Sequence, residues 1–197
     1  MKPVPKLKCG LEVHQQLDTG KLFSRTPGEL REEKPDFVIK RRLRPVASEL
    51  GEFDAAALEQ YRKGLEYWYE CYKDSISLVE TDDEPPQPMN ERALDTILTV
   101  GVLCNSTFVD KAFVMRKTVI DGSNTSGFQR TALICLGGEL DIGNKKIRLQ
   151  AMALEEDAAR PMEKTDFHIV YRLDRLGIPL IELSTEPDIE TPEEAKA

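Results

Sequence analysis

The strongest constraint on the fold is where two kinds of apolar spacing fall along the chain. At the start, Leu7, Cys9, Leu11, Val13 and Leu17 share one parity, and Lys8, Glu12, His14 and Gln16 share the other. Side chains of a strand alternate between its faces, so this segment reads as a strand with Glu12 and His14 on the same, non-apolar face. Alternation returns at Ala112–Ile120, Ala132–Cys135, Glu139–Ile142, Ile147–Leu154, Phe167–Leu173 and Leu180–Thr185. A Gly143-Asn144 turn suits a hairpin between two of these segments. Between the two strand-rich ends the spacing is helical. Leu58, Tyr61, Leu65, Trp68, Tyr69 and Tyr72 form an aromatic-rich stripe starting from Asp54. A second helix is expected from an Asn90 N-cap to about Cys104, with Leu94, Ile97, Leu98, Val102 and Leu103 inward. Thr81–Pro88 is a loop, since Pro85, Pro86 and Pro88 exclude a helix. Phe23–Val46 reads as polar and irregular. Strands at both ends and helices between give an α+β class, a largely antiparallel sheet with helices packed on one side.

Length and composition narrow the function. At 197 residues, with 40% hydrophobic and 31% charged residues, the chain suits one substantial core and not a disordered segment. It has no apolar run long enough to span a membrane and no signal-peptide pattern at Met1–Lys6. Cys9, Cys71, Cys104 and Cys135 are widely spaced and contain no CxxC pair, so they read as reduced cytoplasmic thiols. The net charge of −8 argues against general nucleic-acid binding and suits a carboxylate-rich site for cations. Lys40-Arg41-Arg42-Leu43-Arg44 reads as a charged face in preference to a phosphate contact. At the other end Thr191, Pro192 and Glu194 form a helix start with only Ala195, Lys196 and Ala197 after it, which reads as a fragment of a longer protein.

Four segments carry chemistry. Glu12 and His14 supply a carboxylate and an imidazole side by side. Arg116–Arg130 runs from a strand end into a loop rich in Gly, Ser, Thr and Asn. That loop suits a phosphate cradle or a plain turn equally; it is neither a Walker loop nor a dinucleotide fingerprint. Glu155, Glu156 and Asp157 are adjacent acids at a strand end, readable as an acidic surface turn or as a cation site. Glu182 lies within an apolar strand, where a lone buried carboxylate is costly, so it must be exposed, paired or metal-bound. Glu12, His14, Glu156 and Glu182 together would favour Mg²⁺ or Mn²⁺. Magnesium on carboxylates beside a glycine- and hydroxyl-rich loop suggests phosphoryl transfer from a nucleotide.

The segments Gly10–Phe23, Arg116–Thr131, Leu154–Arg160 and Arg172–Ile189 resemble, in order, the GatB/GatE family of tRNA amidotransferase subunits. IDGSNTSGFQRT at Ile120–Thr131 is similar to the archaeal GatE branch. The resemblance implies an N-terminal catalytic cradle domain over residues 1–197. It implies use of ATP and Mg²⁺ to phosphorylate the γ-carboxylate of glutamate misacylated on tRNA(Gln). Ammonia from an asparaginase-like partner, GatD, would then give glutaminyl-tRNA. Carried over by motif, Glu12, His14, Glu156 and Glu182 are the metal ligands and catalytic residues. Lys117, Ser123, Ser126 and Arg175 are candidates for contacting nucleotide or acyl phosphate, with Asp157 and Asp174 orienting them. Family members often carry cysteines after the KLF segment; Phe23–Pro27 has none, a departure that puts any metal site there in doubt. The rivals are an enzyme activating a free small carboxylate and a non-catalytic scaffold that docks a partner.

Overall fold

The structure is a computed structural model and describes residues 7–197; Met1–Lys6, and the absence of a signal pattern read there, lie outside the described residues. The elements in order are β1 Glu12–Gln16, β2 Phe37–Arg41, α1 Ala55–Arg62, β3 Glu66–Cys71, α2 Glu91–Leu103, β4 Thr107–Phe108, β5 Val114–Thr118, β6 Phe128–Leu136, β7 Glu139–Asp141, β8 Lys146–Glu156, β9 Arg160–Lys164, β10 His168–Arg172, β11 Pro179–Thr185 and α3 Pro192–Lys196. They build the expected α+β arrangement, divided into two sheets. The large sheet is antiparallel, in the order β1-β11-β8-β6-β4, with β5 also on β6 and β7 on β8. The small sheet runs β2-β3-β10-β9, and its β3–β10 pair is parallel. Among the described residues no helix is long and apolar enough to cross a membrane.

One core lies beneath the large sheet, where Ala132, Ile134, Leu149, Met152, Leu154 and Ile181 meet Leu22, Phe23 and α2. Asn90 caps α2 as its sequence position requires, its side chain accepting from Ala93 N–H at 3.2 Å. The buried face of α2 differs from the expected stripe: it is Ala93, Ile97 and Gly101, while Val102 and Leu103 are 64% and 76% exposed. The absence of a side chain at Gly101 sets the end of the helix close to the sheet. A Cβ on Gly101 would stand 2.7 Å from Cys135 Sγ and from the Phe108 ring.

The aromatic stripe departs most from its helical reading. Helix α1 ends at Arg62, and Gly64 at φ +67° turns the chain into strand β3. From Glu66 the period is two. Tyr67, Tyr69 and Cys71 point into the second core with Ile169, Tyr171 and Leu173, and Trp68 faces outward with Lys40 over its ring. Three- and four-residue steps across 61–72 count aromatics from two elements as one stripe. The segment Phe23–Val46 is likewise not wholly irregular, because β2 pairs antiparallel with β3.

Candidate metal centre on the large sheet

Register places the polar residues of five strands on the sheet face opposite α2. His14 lies across from Glu182, Glu182 across from Ala153, Thr131 across from Glu155, and Lys117 across from Gln129. Glu12, His14 and Glu182 converge: each offers one ligand atom, and these atoms lie within 4.8 Å of one another. The imidazole Nε2 is 3.2 Å from Glu182 Oε2 and 3.3 Å from Glu12 Oε1. Lys117 Nζ is 2.9 Å from Glu155 Oε1 and 3.8 Å from Glu182 Oε2.

Glu156 does not join this group. Its side chain is on the core face, buried, with Oε2 accepting from Arg130 Nη1 at 3.0 Å. Glu155 is the member of the acidic run that shares the face with Glu182. The cause is a bulge in β8: Ser184 and Thr185 on β11 pair with Ala151 and Leu149, leaving Gln150 as the extra residue. Ile147 and Leu149 are buried before the bulge, Met152 and Leu154 after it, so inward parity changes from odd to even. Unbroken alternation from Ile147 would turn Glu156 outward. The change of apolar parity between Leu149 and Met152 is the sequence signal for Glu155.

Electrostatics single out the same pair. Burial, then the neighbouring Glu155 carboxylate, raises Glu182 above the ordinary carboxylate range. Burial also works against the charge of Glu155, but hydrogen bonds from Thr131 (2.7 Å) and Lys117 outweigh it and hold Glu155 below that range. Two acids and an imidazole around a raised carboxyl form a site short of positive charge. Their hard oxygens and one nitrogen fit a divalent cation of the Mg²⁺ or Mn²⁺ type.

The other sequence candidates have protein partners. Ser123 Oγ donates to Asp121 Oδ1 at 2.7 Å, and Ser126 Oγ to the Phe128 carbonyl at 2.9 Å. Arg175 donates to the carbonyls of Ala158 (Nε, 2.7 Å) and Ala159 (Nη2, 3.1 Å), and its Nε lies 3.5 Å from Asp157 Oδ2. Asp157 also accepts from Gln16 Nε2 at 2.5 Å, which joins Arg175 to the Glu12–His14–Gln16 row. Asp174, fully buried, accepts from Arg160 and from the Arg31 and Arg175 N–H groups.

Sequence reasoning did not single out three further residues. Gln129 and Thr131 hydrogen-bond Glu155 from β6 and share its face. Glu80, outside all four segments, joins the Arg116–Thr131 segment to the Phe23–Pro27 stretch. Its carboxylate accepts from Ser24 Oγ and Ser77 N–H, and its carbonyl accepts from Thr125 Oγ1 at 2.6 Å. Thus Ser24 of the cysteine-free Phe23–Pro27 stretch holds a carboxylate.

The large sheet thus presents a carboxylate–imidazole cluster beside a lysine, a donor set of the kind that could hold a hard cation. The model for the GatB/GatE catalytic domain matches residues 7–197, and the chain belongs to this family. It is 53% identical over 190 residues to the E subunit of glutamyl-tRNA(Gln) amidotransferase from Thermococcus gammatolerans, a match covering 96% of this chain and 30% of that protein. The corresponding proteins of Aeropyrum pernix and Sulfurisphaera tokodaii are 53% and 54% identical over 191 residues, with the same coverage. The chain thus spans about a third of the length of these relatives.

Proposed function

We propose that this chain contributes the ATP- and Mg²⁺-dependent glutamyl-kinase centre of a glutamyl-tRNA(Gln) amidotransferase, acting in translation in the cytoplasm. The convergence of Glu12, His14 and Glu182 beside Lys117 is the observation that carries this reading. The substrate is glutamate misacylated on tRNA(Gln). Phosphorylating its γ-carboxylate gives the carbonyl a leaving group, and ammonia from a GatD-type partner then forms the amide. Glu12, His14 and Glu182 would hold Mg²⁺, with Glu155 beside them. The ion, when bound, supplies charge stabilisation to the transferring phosphoryl group. Lys117 offers a cation at the same place, and its salt bridge with Glu155 keeps it charged and oriented. Arg175, tied through Asp157 and Gln16 to β1, is the second cation within reach of phosphate oxygens.

The direct test incubates the chain with ATP, Mg²⁺, Glu-tRNA(Gln) and hydroxylamine. ADP and the γ-glutamyl hydroxamate should form together, only with ATP and the charged tRNA; the α-hydroxamate that hydroxylamine releases from the tRNA ester forms without ATP and is the blank. Hydroxamate formed from free glutamate would favour a small-carboxylate kinase. No nucleotide turnover with Mg²⁺ still bound would favour a docking role, a reading supported by the internal partners of Ser123, Ser126 and Arg175.

A pH dependence follows from the raised carboxyl of Glu182. The cation needs this group deprotonated, so protons compete with it at every pH below the raised value. Affinity for Mn²⁺ should rise with pH as the Glu182 carboxyl loses its proton. Titrations between about pH 4.5 and 8 check this; an affinity that is flat across the range would contradict it.

A further inference from the structure

We propose that the free edge of β5 docks an extended, acidic segment of a partner chain, which joins the large sheet as a further strand. This docking does not depend on the cation site, because it uses the main chain of β5 and cations outside that site. Strand β5 pairs with β6 alone, so one of its edges is unoccupied among the described residues. Residues of an antiparallel pair alternate between exchanging both main-chain bonds and exchanging none. Val119 N–H bonds the Gly127 carbonyl at 2.9 Å, and in steps of two Lys117 and Met115 face β6 as well. The N–H and C=O groups of Val114, Arg116 and Thr118 therefore point away from the sheet. They have the spacing that an added strand pairs with.

Sheet edges are ordinarily protected by brevity, by proline or by a bulge. Strand β4 has two residues, and β9 contains Pro161 and a register shift against β10. Strand β5 has none of these devices. It is five residues long, pairs with β6 without a shift, and is exposed throughout. Phe113, Val114 and Met115 are 68%, 45% and 49% exposed, so apolar surface lies beside the open main-chain groups. Lys117 points to Glu155 and Glu182 and leaves the edge to Arg116.

Charge selects the occupant. Arg116 stands opposite Arg130, whose own charge is met by Glu156. Arg116 lies 5.5 Å over the Phe128 ring and Lys111 lies 5.8 Å over Phe113. Neither has a carboxylate within ion-pair distance among the described residues. In a chain of net charge −8, this edge carries uncompensated positive charge. A strand laid along it sets a carboxylate opposite Arg116 and an apolar side chain opposite Met115. A second copy of the chain fits less well. The register that pairs all five β5 residues with those of another copy sets Arg116 against Arg116. Like charges directly opposite destabilise a sheet.

The test measures anisotropy of a labelled acidic peptide, Thr-Val-Glu-Val-Glu-Val-Thr, with the chain at about 50 mM salt and without divalent cations. Its counterpart with lysine in place of each glutamate should bind about tenfold more weakly. Arg116→Glu should reverse that preference, with an unchanged melting temperature because the guanidinium has no ion pair to lose. Val114→Pro removes an outward N–H and leaves the bonds to β6, so it should weaken the acidic peptide by about tenfold. Hydrogen exchange in the wild type should slow at the Val114, Arg116 and Thr118 amides when the acidic peptide binds. Absence of acidic-peptide binding, equal binding of the two peptides, or protection confined to other segments would overturn the proposal. So would sedimentation of the wild type as a dimer that Val114→Pro dissolves, because a second copy would then hold the edge.

Discussion

Gly122→Ala is expected to destabilise the chain by about 3–5 kcal/mol, lowering the melting temperature by about 10 °C. Two effects add. Gly122 has φ +84°, a conformation that costs a non-glycine residue about 1–3 kcal/mol. A Cβ there would also overlap Tyr67 Cδ1 and Cε1, inside the packed ring, which forces repacking at about 1–3 kcal/mol more. The ring cannot yield freely, because Tyr67 is buried among Tyr69 and Tyr171 in the small-sheet core. These neighbours also hold the turn: Tyr69 Oη donates to the Gly122 carbonyl at 2.9 Å and Tyr171 Oη to that of Asp121 at 3.0 Å. Gly127→Ala is the control. It has a similar φ of +75° but open space around its Cβ, so only the conformational cost of about 1–3 kcal/mol applies. Denaturant melts of the two variants separate steric from backbone cost, and equal losses would contradict this account of the turn.

Asp174→Ala is expected to cost about 3–5 kcal/mol, the range for removing one member of a buried charged pair. Asp174 is fully buried and accepts Arg160 Nη2 at 2.5 Å and Nε at 3.2 Å, with the Arg31 and Arg175 N–H groups each at 2.8 Å. Truncation leaves the guanidinium of Arg160, itself largely buried, without its main counter-charge. Asp174→Asn keeps an acceptor oxygen and should lose less. Urea titrations of both variants check this, and a loss for Asp174→Ala of under about 1 kcal/mol would mean that water replaces the carboxylate.

How far the sequence discloses these features depends on whether the relevant signal is local. Parity along Leu7–Leu17 suffices to place Glu12 and His14 together, since no bulge interrupts β1. The Asn90 cap and the Gly143-Asn144 hairpin are similarly local, and the structure contains both. Parity stops being informative in β8. The extra residue Gln150 exchanges the faces of Glu155 and Glu156; within β8 the spacing marks it only by the change of apolar parity between Leu149 and Met152, and the bulge itself belongs to the β8–β11 pairing. Trp68 and Tyr69 read as helical for a related reason: the Gly64 turn separates two elements whose aromatics happen to fall at three- and four-residue steps. Glu80 is beyond such reasoning, because its importance comes from touching Ser24 and Thr125, residues distant in sequence.

The most direct measurement is calorimetric titration of Mg²⁺ and Mn²⁺ into the chain and into Glu182→Gln at about pH 7.5. Loss of a supporting residue typically costs a metal site about 10–100-fold, and removal of a ligand should cost at least the upper figure. One ion per chain should bind, with affinity at least about 100-fold weaker in Glu182→Gln. Binding of equal affinity in the variant would contradict it, since the ion would then be held elsewhere.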